Sequence, residues 1–160
     1  MVILGVDPGT AATGYGVIDV EDSPQLIDYG CLRTSSKEGM VQRLRAIYKQ
    51  IKCIVERFCP EEIAVEDVFF NQNIKTALSV GQARGVILLA VSSQGARVFS
   101  YTPLEVKQAI AGYGRARKEQ IQHMIKKILN LSSLPTPDDA SDAIAVALCH
   151  FYSRKLKSFV

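Results

Sequence analysis

The stretch MVILGVDPGTAATGYGVIDV, residues 1–20, decides the fold expected for this chain. An apolar run, residues 2–6, leads directly into Asp7, and a Pro-Gly pair then interrupts the strand pattern. A second, alternating run at residues 13–20 is typical of a hairpin partner. The stretch therefore predicts two antiparallel strands, with a carboxylate placed where the first buried strand ends.

The pattern that follows extends this hairpin into an α/β domain. Residues 25–33 predict a third strand, and further strands are expected at 63–66 and 96–101. Helices are expected at 38–58, 74–93, 102–112, 118–131 and 136–152, the third and the last opened by the Thr-Pro pairs Thr102-Pro103 and Thr136-Pro137. This order predicts a five-stranded mixed sheet flanked by helices. Its first three strands form an antiparallel meander, and the later strands arrive by helical crossovers and are parallel.

Composition and length favour one globular domain over residues 1–160. The chain is 48% hydrophobic and 22% charged, and no apolar run approaches the ~18 residues of a membrane-spanning helix. The first apolar run is too short for a signal peptide, and the four cysteines are scattered without a Cys-x-x-Cys pair. We therefore expect a cytoplasmic protein whose cysteines are reduced.

Positive charge is concentrated late in the chain. Residues 105–160 carry nine Lys or Arg against five Asp or Glu, although the whole chain has a net charge of only +3. This excess suits an anionic partner such as nucleic acid, but a solvated helix face explains it about as well.

Carboxylates are expected to gather at one edge of the sheet. Asp7 and Glu66 each end a strand, and those ends lie side by side if the first and fourth strands are parallel neighbours. Asp142 shares a helix face with either Asp138 or Asp139 at the start of the last helix. Such a cluster repels itself unless protons or cations neutralise it, and oxygen-only ligands favour Mg²⁺ or Mn²⁺. Two such ions can clamp the attacking and leaving oxygens of a phosphodiester.

Several segments, in order along nearly the whole chain, resemble the bacterial RuvC family of Holliday-junction resolvases. They are GVDPGTAATGYGVI, VEDVFFNQN, GQARG, VKQAIAGYGRARKEQIQHMI and DDASDAIAVALCH. The resemblance implies a ribonuclease-H-like fold and a homodimer that nicks two opposed strands of a four-way DNA junction. The cofactor implied is Mg²⁺, two ions per subunit, with Mn²⁺ able to substitute. The family's four acidic positions fall on Asp7, Glu66, Asp139 and Asp142, because its spacing of acid, two small residues and acid matches Asp139 rather than Asp138.

The resemblance also implies the surfaces that meet DNA and partners. Lys107 and Lys118 are matched as phosphate contacts, Arg115 and Arg117 lie in the loop between them, and Phe69 is placed to stack on an unpaired junction base. The helix that follows Glu66, with its small residues Gly81, Ala83 and Gly85, is expected in the dimer interface, although burial in the monomer core would explain it equally. The branch-migration motor proteins RuvA and RuvB are the expected partners.

Three other readings compete with this one. An ATPase of the actin and sugar-kinase type also begins with an apolar strand, an Asp and a glycine hairpin, but needs two such domains. A catalytically silent junction-binding protein of the same fold would not need all four acidic positions. A nuclease of this fold could instead act on another nucleic acid, such as an RNA–DNA hybrid.

Overall fold

The computed structural model describes residues 1–68, 74–92 and 94–154 of the chain. The strands are β1 (Val2–Asp7), β2 (Ala12–Val20), β3 (Pro24–Arg33), β4 (Glu62–Glu66) and β5 (Arg97–Tyr101). The helices are α1 (Met40–Phe58), α2 (Ile74–Ser92), α3 (Pro103–Ala111), α4 (Lys118–Ile128) and α5 (Asp138–Ser153).

The five strands form one mixed sheet in the order β3-β2-β1-β4-β5. Strand β1 runs antiparallel to β2 and parallel to β4, and β4 runs parallel to β5. The predicted meander with parallel later strands is therefore confirmed. The largest shift of a boundary is at the end of α4, at Ile128 instead of residue 131. The last helix begins at Asp138 with Pro137 as its N-cap, whereas α3 follows the Thr-Pro expectation and is capped by Thr102.

Strand alternation divides the core into two layers, one on each face of the sheet. One face, with Leu4, Val17 and Ile63, packs against buried residues of α1 and α2. The other face, with Ile3 and Phe99, packs against α3, α4 and α5. Asp7 is four residues after Ile3 in β1. Because side chains alternate between the two faces of a strand, Asp7 lies on the same, second face as Ile3.

Helix α5 lies directly on that second face because glycines leave room for it. A Cβ at Gly5 of β1 would lie 2.2 Å from the Ala143 carbonyl oxygen, and one at Gly16 of β2 would lie 2.6 Å from a side-chain carbon of Ile144. Residues 143–150 of α5 are all buried, so the helix is a core element rather than an amphipathic one. Contact with the sheet therefore fixes the distance between α5 and the strands. It also fixes the positions of the side chains in the first turns of α5.

A buried polar group joins the far end of α5 to the start of β4. His150 is fully buried, and its Nε2 donates to Glu62 Oε2 at 2.8 Å while its Nδ1 accepts from the Tyr101 hydroxyl at 2.8 Å. Arg97 donates to the other oxygen of Glu62, and Arg154 lies 3.9 Å from Oε2. Burial lowers the pKa of His150 and outweighs the opposing effect of the Glu62 carboxylate, while both arginines add to the lowering. The ring is therefore neutral at pH 7.

This group predicts an acid-sensitive fold. The unfolded chain binds the imidazole proton near pH 6.5, whereas the folded protein binds it only at lower pH, so stability is full above pH 6.5 and falls below it. We expect the free energy of unfolding of wild type, taken relative to that of His150→Gln, to drop by up to about 1.4 kcal/mol per pH unit in that range. Urea titrations of both proteins between pH 7 and 5 test this. His123→Gln should keep the pH dependence of wild type, and the same pH dependence in wild type and His150→Gln would contradict the assignment.

Candidate functional site

A row of five residues crosses the sheet at the ends of β1, β4 and β5. Strand register places Cys31, Gly14 and Asp7 opposite one another on β3, β2 and β1. Because Val6 pairs with Val65, the next residues, Asp7 and Glu66, lie side by side, and Glu66 in turn pairs with Tyr101. Two carboxylates therefore meet at the edge predicted from the sequence, on the face that α5 covers.

The first turns of α5 bring two more carboxylates to this row. The Asp139 carboxylate accepts a hydrogen bond from the Cys31 thiol at 3.7 Å, and the Asp142 carboxylate accepts one from Lys118 Nζ at 2.8 Å. Asp138 lies further out, because its side chain is 66% exposed, accepts a hydrogen bond from Gln122 Nε2 at 3.0 Å and lies 3.4 Å from Lys118 Nζ. Asp139 rather than Asp138 thus faces the sheet beside Asp7.

Burial, followed by the charges of neighbouring carboxylates, determines the electrostatics of Asp7, and burial also has the largest effect on Glu66. Burial raises the pKa of Asp7 to about 9, together with the charge of Glu66, a hydrogen bond to Glu66, and the charges of Asp142 and Asp139. Burial also raises the pKa of Glu66, against the opposing effects of that hydrogen bond and of the Lys107 charge. At neutral pH Asp7 is therefore protonated and donates to the Glu66 carboxylate.

Two lysines line a cavity beside the carboxylates. Its volume is about 240 Å³. Its polar wall is formed by Glu66, Asp142, Lys107 and Lys118, and its apolar wall by Pro103, Val106, Ile121 and Ala145. Partial burial lowers the pKa of Lys118, but the hydrogen bond and charge of Asp142 outweigh it, so the pKa is raised and the ammonium is held in place. Positive charge thus lies next to the acidic cluster, where an anionic substrate would enter.

Of the other predicted DNA contacts, two are exposed in a loop and one lies outside the described residues. Arg115 and Arg117 are exposed in the loop between α3 and α4, and the backbone N–H of Arg117 donates to Gln120 at 2.8 Å. Phe69 lies outside the described residues.

Sequence reasoning missed two supports of the site. In the sequence Cys31 is only one of four scattered thiols, because a β-bulge at Val17 and Ile18 shifts the register and prevents its pairing with Gly14 from being counted from the turn. Burial, followed by the charge of Asp139, raises the pKa of Cys31, so the thiol keeps its proton at neutral pH. The second support is Asp67, which accepts hydrogen bonds from Arg84 of α2 at 2.7 Å and from Ser100 of β5 at 2.8 Å. These bonds hold the chain directly after Glu66 against its neighbours.

The donor set fits a hard divalent cation. The four side chains offer only carboxylate oxygens, the ligands that Mg²⁺ and Mn²⁺ prefer, and the pKa of Asp7 is raised because its carboxyl group is buried close to the other three. Within residues 1–68, 74–92 and 94–154, no three His, Cys, Asp or Glu side chains already converge on one point. A cation would therefore draw these carboxylates together as it displaced the Asp7 proton.

Comparison with known proteins gives the family. The family model described as crossover junction endodeoxyribonuclease RuvC matches residues 3–150. The chain belongs to the RuvC family. A relative of that name from Pelotomaculum thermopropionicum is 52% identical over 98% of this chain and 99% of its own length. Membership makes the chain an endonuclease of the crossover-junction class, as the resemblance implied.

Solved structures confirm the ribonuclease-H-like fold. Thermus thermophilus RuvC in complex with Holliday junction substrate superposes with a TM-score of 0.93 at 36% identity, covering 99% of this chain and 98% of that one. The yeast mitochondrial Holliday junction resolvase Ydc2 has the same fold, with a TM-score of 0.64 at 15% identity over 92% of this chain and 77% of its own. The alternative readings as a silent binder or as a nuclease for another nucleic acid are not favoured by these relatives. Within the described part of this RuvC family chain, no helix has the length and hydropathy needed to cross a bilayer.

Proposed function

We propose that this RuvC family member resolves four-way DNA junctions by hydrolysing one phosphodiester in each of two opposed strands. Asp7, Glu66, Asp139 and Asp142 hold Mg²⁺, two ions per subunit, and Mn²⁺ can replace it. The observation that carries the proposal is the meeting of two strand ends and the first turns of α5 beside two lysines. The products are nicks with 5′-phosphate and 3′-hydroxyl ends.

The chain's own groups prepare the site for this chemistry. Asp7, whose pKa is raised by burial and by its acidic neighbours, gives up its proton when a cation binds beside Glu66. Lys118 lies 2.8 Å from Asp142, so it can move its ammonium to a phosphate oxygen once a cation takes over that carboxylate. Lys107 adds positive charge from α3 on the same cavity wall. When bound, Mg²⁺ polarises the scissile phosphate, assists water in its in-line attack, and stabilises the leaving 3′ oxygen.

Junction DNA is proposed to lie across the cavity and the exposed loop between α3 and α4. Lys107 and Lys118 contact the phosphates near the cut, and Arg115 and Arg117 contact the backbone further out. Phe69 stacks on an unpaired base at the branch point. The support for this surface is its positive charge and exposure beside the carboxylates.

The proposal is tested by cleavage of a synthetic mobile four-way junction that carries a label on each strand. Paired nicks that depend on Mg²⁺ or Mn²⁺ are expected, at symmetric positions of opposed strands. Linear duplex and RNA–DNA hybrid of the same sequence are the matched substrates. Equal cutting of hybrid and junction would contradict the substrate, and cutting in the presence of chelator would contradict the cation.

The homodimer is proposed to form through the outer face of α2. Ala77, Ala83, Ile87, Ala90 and Val91 of this helix are buried in the monomer core. Its opposite face carries an exposed stripe of Leu78, Gly81, Gly85 and Leu89, with the leucines 62% and 63% exposed. A Cβ at either glycine would meet nothing within 4 Å, so a second helix can approach closely there. Ala83, expected with the two glycines in the interface, instead faces the core.

A charge in this stripe should separate the subunits. In Leu89→Glu a carboxylate would be buried against its own copy, and we expect a monomer at micromolar concentration by light scattering. The monomer should nick one strand of a junction at a time, because paired nicks need two active sites. Val41→Glu, at an exposed position of α1, is the control and should remain dimeric. A dimeric Leu89→Glu protein would contradict this interface.

Further proposals concern the surroundings of the enzyme. The branch-migration motor proteins RuvA and RuvB are its proposed partners on the junction. The cytoplasm is its proposed location, in keeping with four free cysteines. Residues 1–160 act as a single nuclease domain.

A further inference from the structure

Asp139 is held from the sheet side by two residues that lie opposite each other. Gly14 of β2 and Cys31 of β3 are cross-strand partners. A Cβ at Gly14 would lie 1.9 Å from the Asp139 carbonyl oxygen, so the backbone of Asp139 rests on the strand itself. The Cys31 thiol donates to Asp139 Oδ2 at 3.7 Å. Gly14 thus fixes the distance of the Asp139 backbone from the sheet, and Cys31 fixes the orientation of the Asp139 carboxylate.

The thiol contact differs from the contact made by the other carboxylate of α5. Asp142 is bound by the charged ammonium of Lys118, which competes with any incoming cation for the same charge. Cys31 is a neutral donor and engages one of the two oxygens of Asp139. The hydrogen bond can therefore persist while the other oxygen, Oδ1, turns to a cation.

We propose that Cys31 is a positioning residue that orients the Asp139 carboxylate, leaving Oδ1 for a divalent cation. The inference rests on the proposed function, because it takes Asp139 as a ligand. Hydrogen bonds to ligating carboxylates raise the affinity of a site by fixing the ligand before the ion arrives. Cys31 thereby acts on cation binding without touching the cation or the DNA.

Three variants separate positioning from packing. Cys31→Val keeps an apolar side chain that suits a strand, but it removes the donor. Cys31→Ser keeps a donor on a similar side chain. If Cys31 serves only in packing, Cys31→Val should lower the affinity for Mn²⁺ less than Cys31→Ser does. If Cys31 positions Asp139, Cys31→Ser should lower it less than Cys31→Val does. Cys53→Ser, at an exposed position of α1, is the matched control.

The experiment is a calorimetric titration of the full chain with Mn²⁺ in the absence of DNA. We expect Cys31→Val to weaken binding of one cation about tenfold. Cys31→Ser should stay within about twofold of wild type. Cys53→Ser should be unchanged. Wild-type binding by Cys31→Val, or equal losses in the Val and Ser variants, would overturn the proposal.

Asp139→Asn shows which idea fails if the result is negative. If Asp139→Asn loses a cation while Cys31→Val does not, Asp139 is a ligand and Cys31 has no positioning role. If Asp139→Asn binds Mn²⁺ like wild type, the ligand assignment itself is wrong, and the role of Cys31 falls with it. The Michaelis dependence on Mn²⁺ gives a second readout: loss of positioning raises the Mn²⁺ concentration for half-maximal cleavage and leaves the rate at saturation unchanged.

Discussion

Asp7→Asn is expected to lose junction cleavage and to keep junction binding. The substitution removes the carboxylate that lies between Glu66 and the acidic residues of α5. A cation stabilises transition-state charge by several kcal/mol, so its loss should lower the cleavage rate at least about a thousandfold. The proposed phosphate contacts are lysines and arginines elsewhere, so affinity for the junction should fall less than about threefold.

Single-turnover cleavage and gel-shift binding on the same junction measure the two effects. Asp138→Asn is the matched control, because Asp138 adjoins Asp139 in the sequence but its exposed carboxylate contacts Gln122 and Lys118. It should retain cleavage within about tenfold. Active Asp7→Asn would remove Asp7 from the ligand set, and parallel loss of binding would point to misfolding instead.

The same variant should also stabilise the protein in the absence of metal. Asp7 has a pKa near 3.8 when unfolded and about 9 when folded, so the folded state holds a proton that the unfolded state has lost. Its contribution to stability is full below pH 3.8 and is lost as pH rises toward 9. Asparagine carries no such penalty. At pH 8 in chelator we expect Asp7→Asn to melt ~2–4 °C above wild type, for a gain of about 1 kcal/mol. The difference should shrink toward pH 5.

Gly5→Val is expected to destabilise the fold by at least about 3 kcal/mol. A Cβ at Gly5 would lie 2.2 Å from the Ala143 carbonyl oxygen and 2.6 Å from the Ala147 amide nitrogen. Both atoms are backbone, so no rotamer change relieves the overlap, and α5 must move off the sheet. Cleavage should fall as well, because the same movement displaces Asp139 and Asp142.

Urea denaturation of metal-free protein measures this effect. Gly30→Val is the matched control on the same sheet, since a Cβ there would meet only the outer atoms of the Tyr15 ring, which can move. Its cost should be less than half that of Gly5→Val. Gly5→Ala extends the test should the valine variant fail to fold, and it should still lie below Gly30→Val in stability. Equal midpoints for Gly5→Ala and Gly30→Val would show that α5 is not seated on Gly5.

The sheet could be predicted from the sequence because each strand and turn is indicated by residues that are close together in the chain. Alternation and turn residues defined the meander, and the crossovers defined the parallel strands. Those two facts alone put Asp7 beside Glu66. Helical spacing could not choose between Asp138 and Asp139, because both share a face with Asp142. The choice in space depends on what each side chain meets, Gln122 for one and Cys31 for the other.

Contacts between distant residues could not be predicted in the same way. His150 and Glu62 are 88 residues apart, and nothing in either segment indicates that they pair in the core. The small residues of α2 were grouped together, but helical rotation places Ala83 inside and the two glycines outside. Such assignments need the position of a helix relative to the sheet, which sequence periodicity does not supply.

The burial of α5 has a consequence for protein synthesis. The helix contacts all five strands on one face of the sheet and brings two of the four acidic residues proposed as ligands, yet it is the last described element to be translated. A nascent chain on the ribosome can pair β1 to β5 and dock α1 and α2, but the second face lacks α5 until residue 153 has emerged. With those two acidic residues as ligands, cleavage of DNA needs α5 in place, and the sheet without α5 is the form that chaperones would meet.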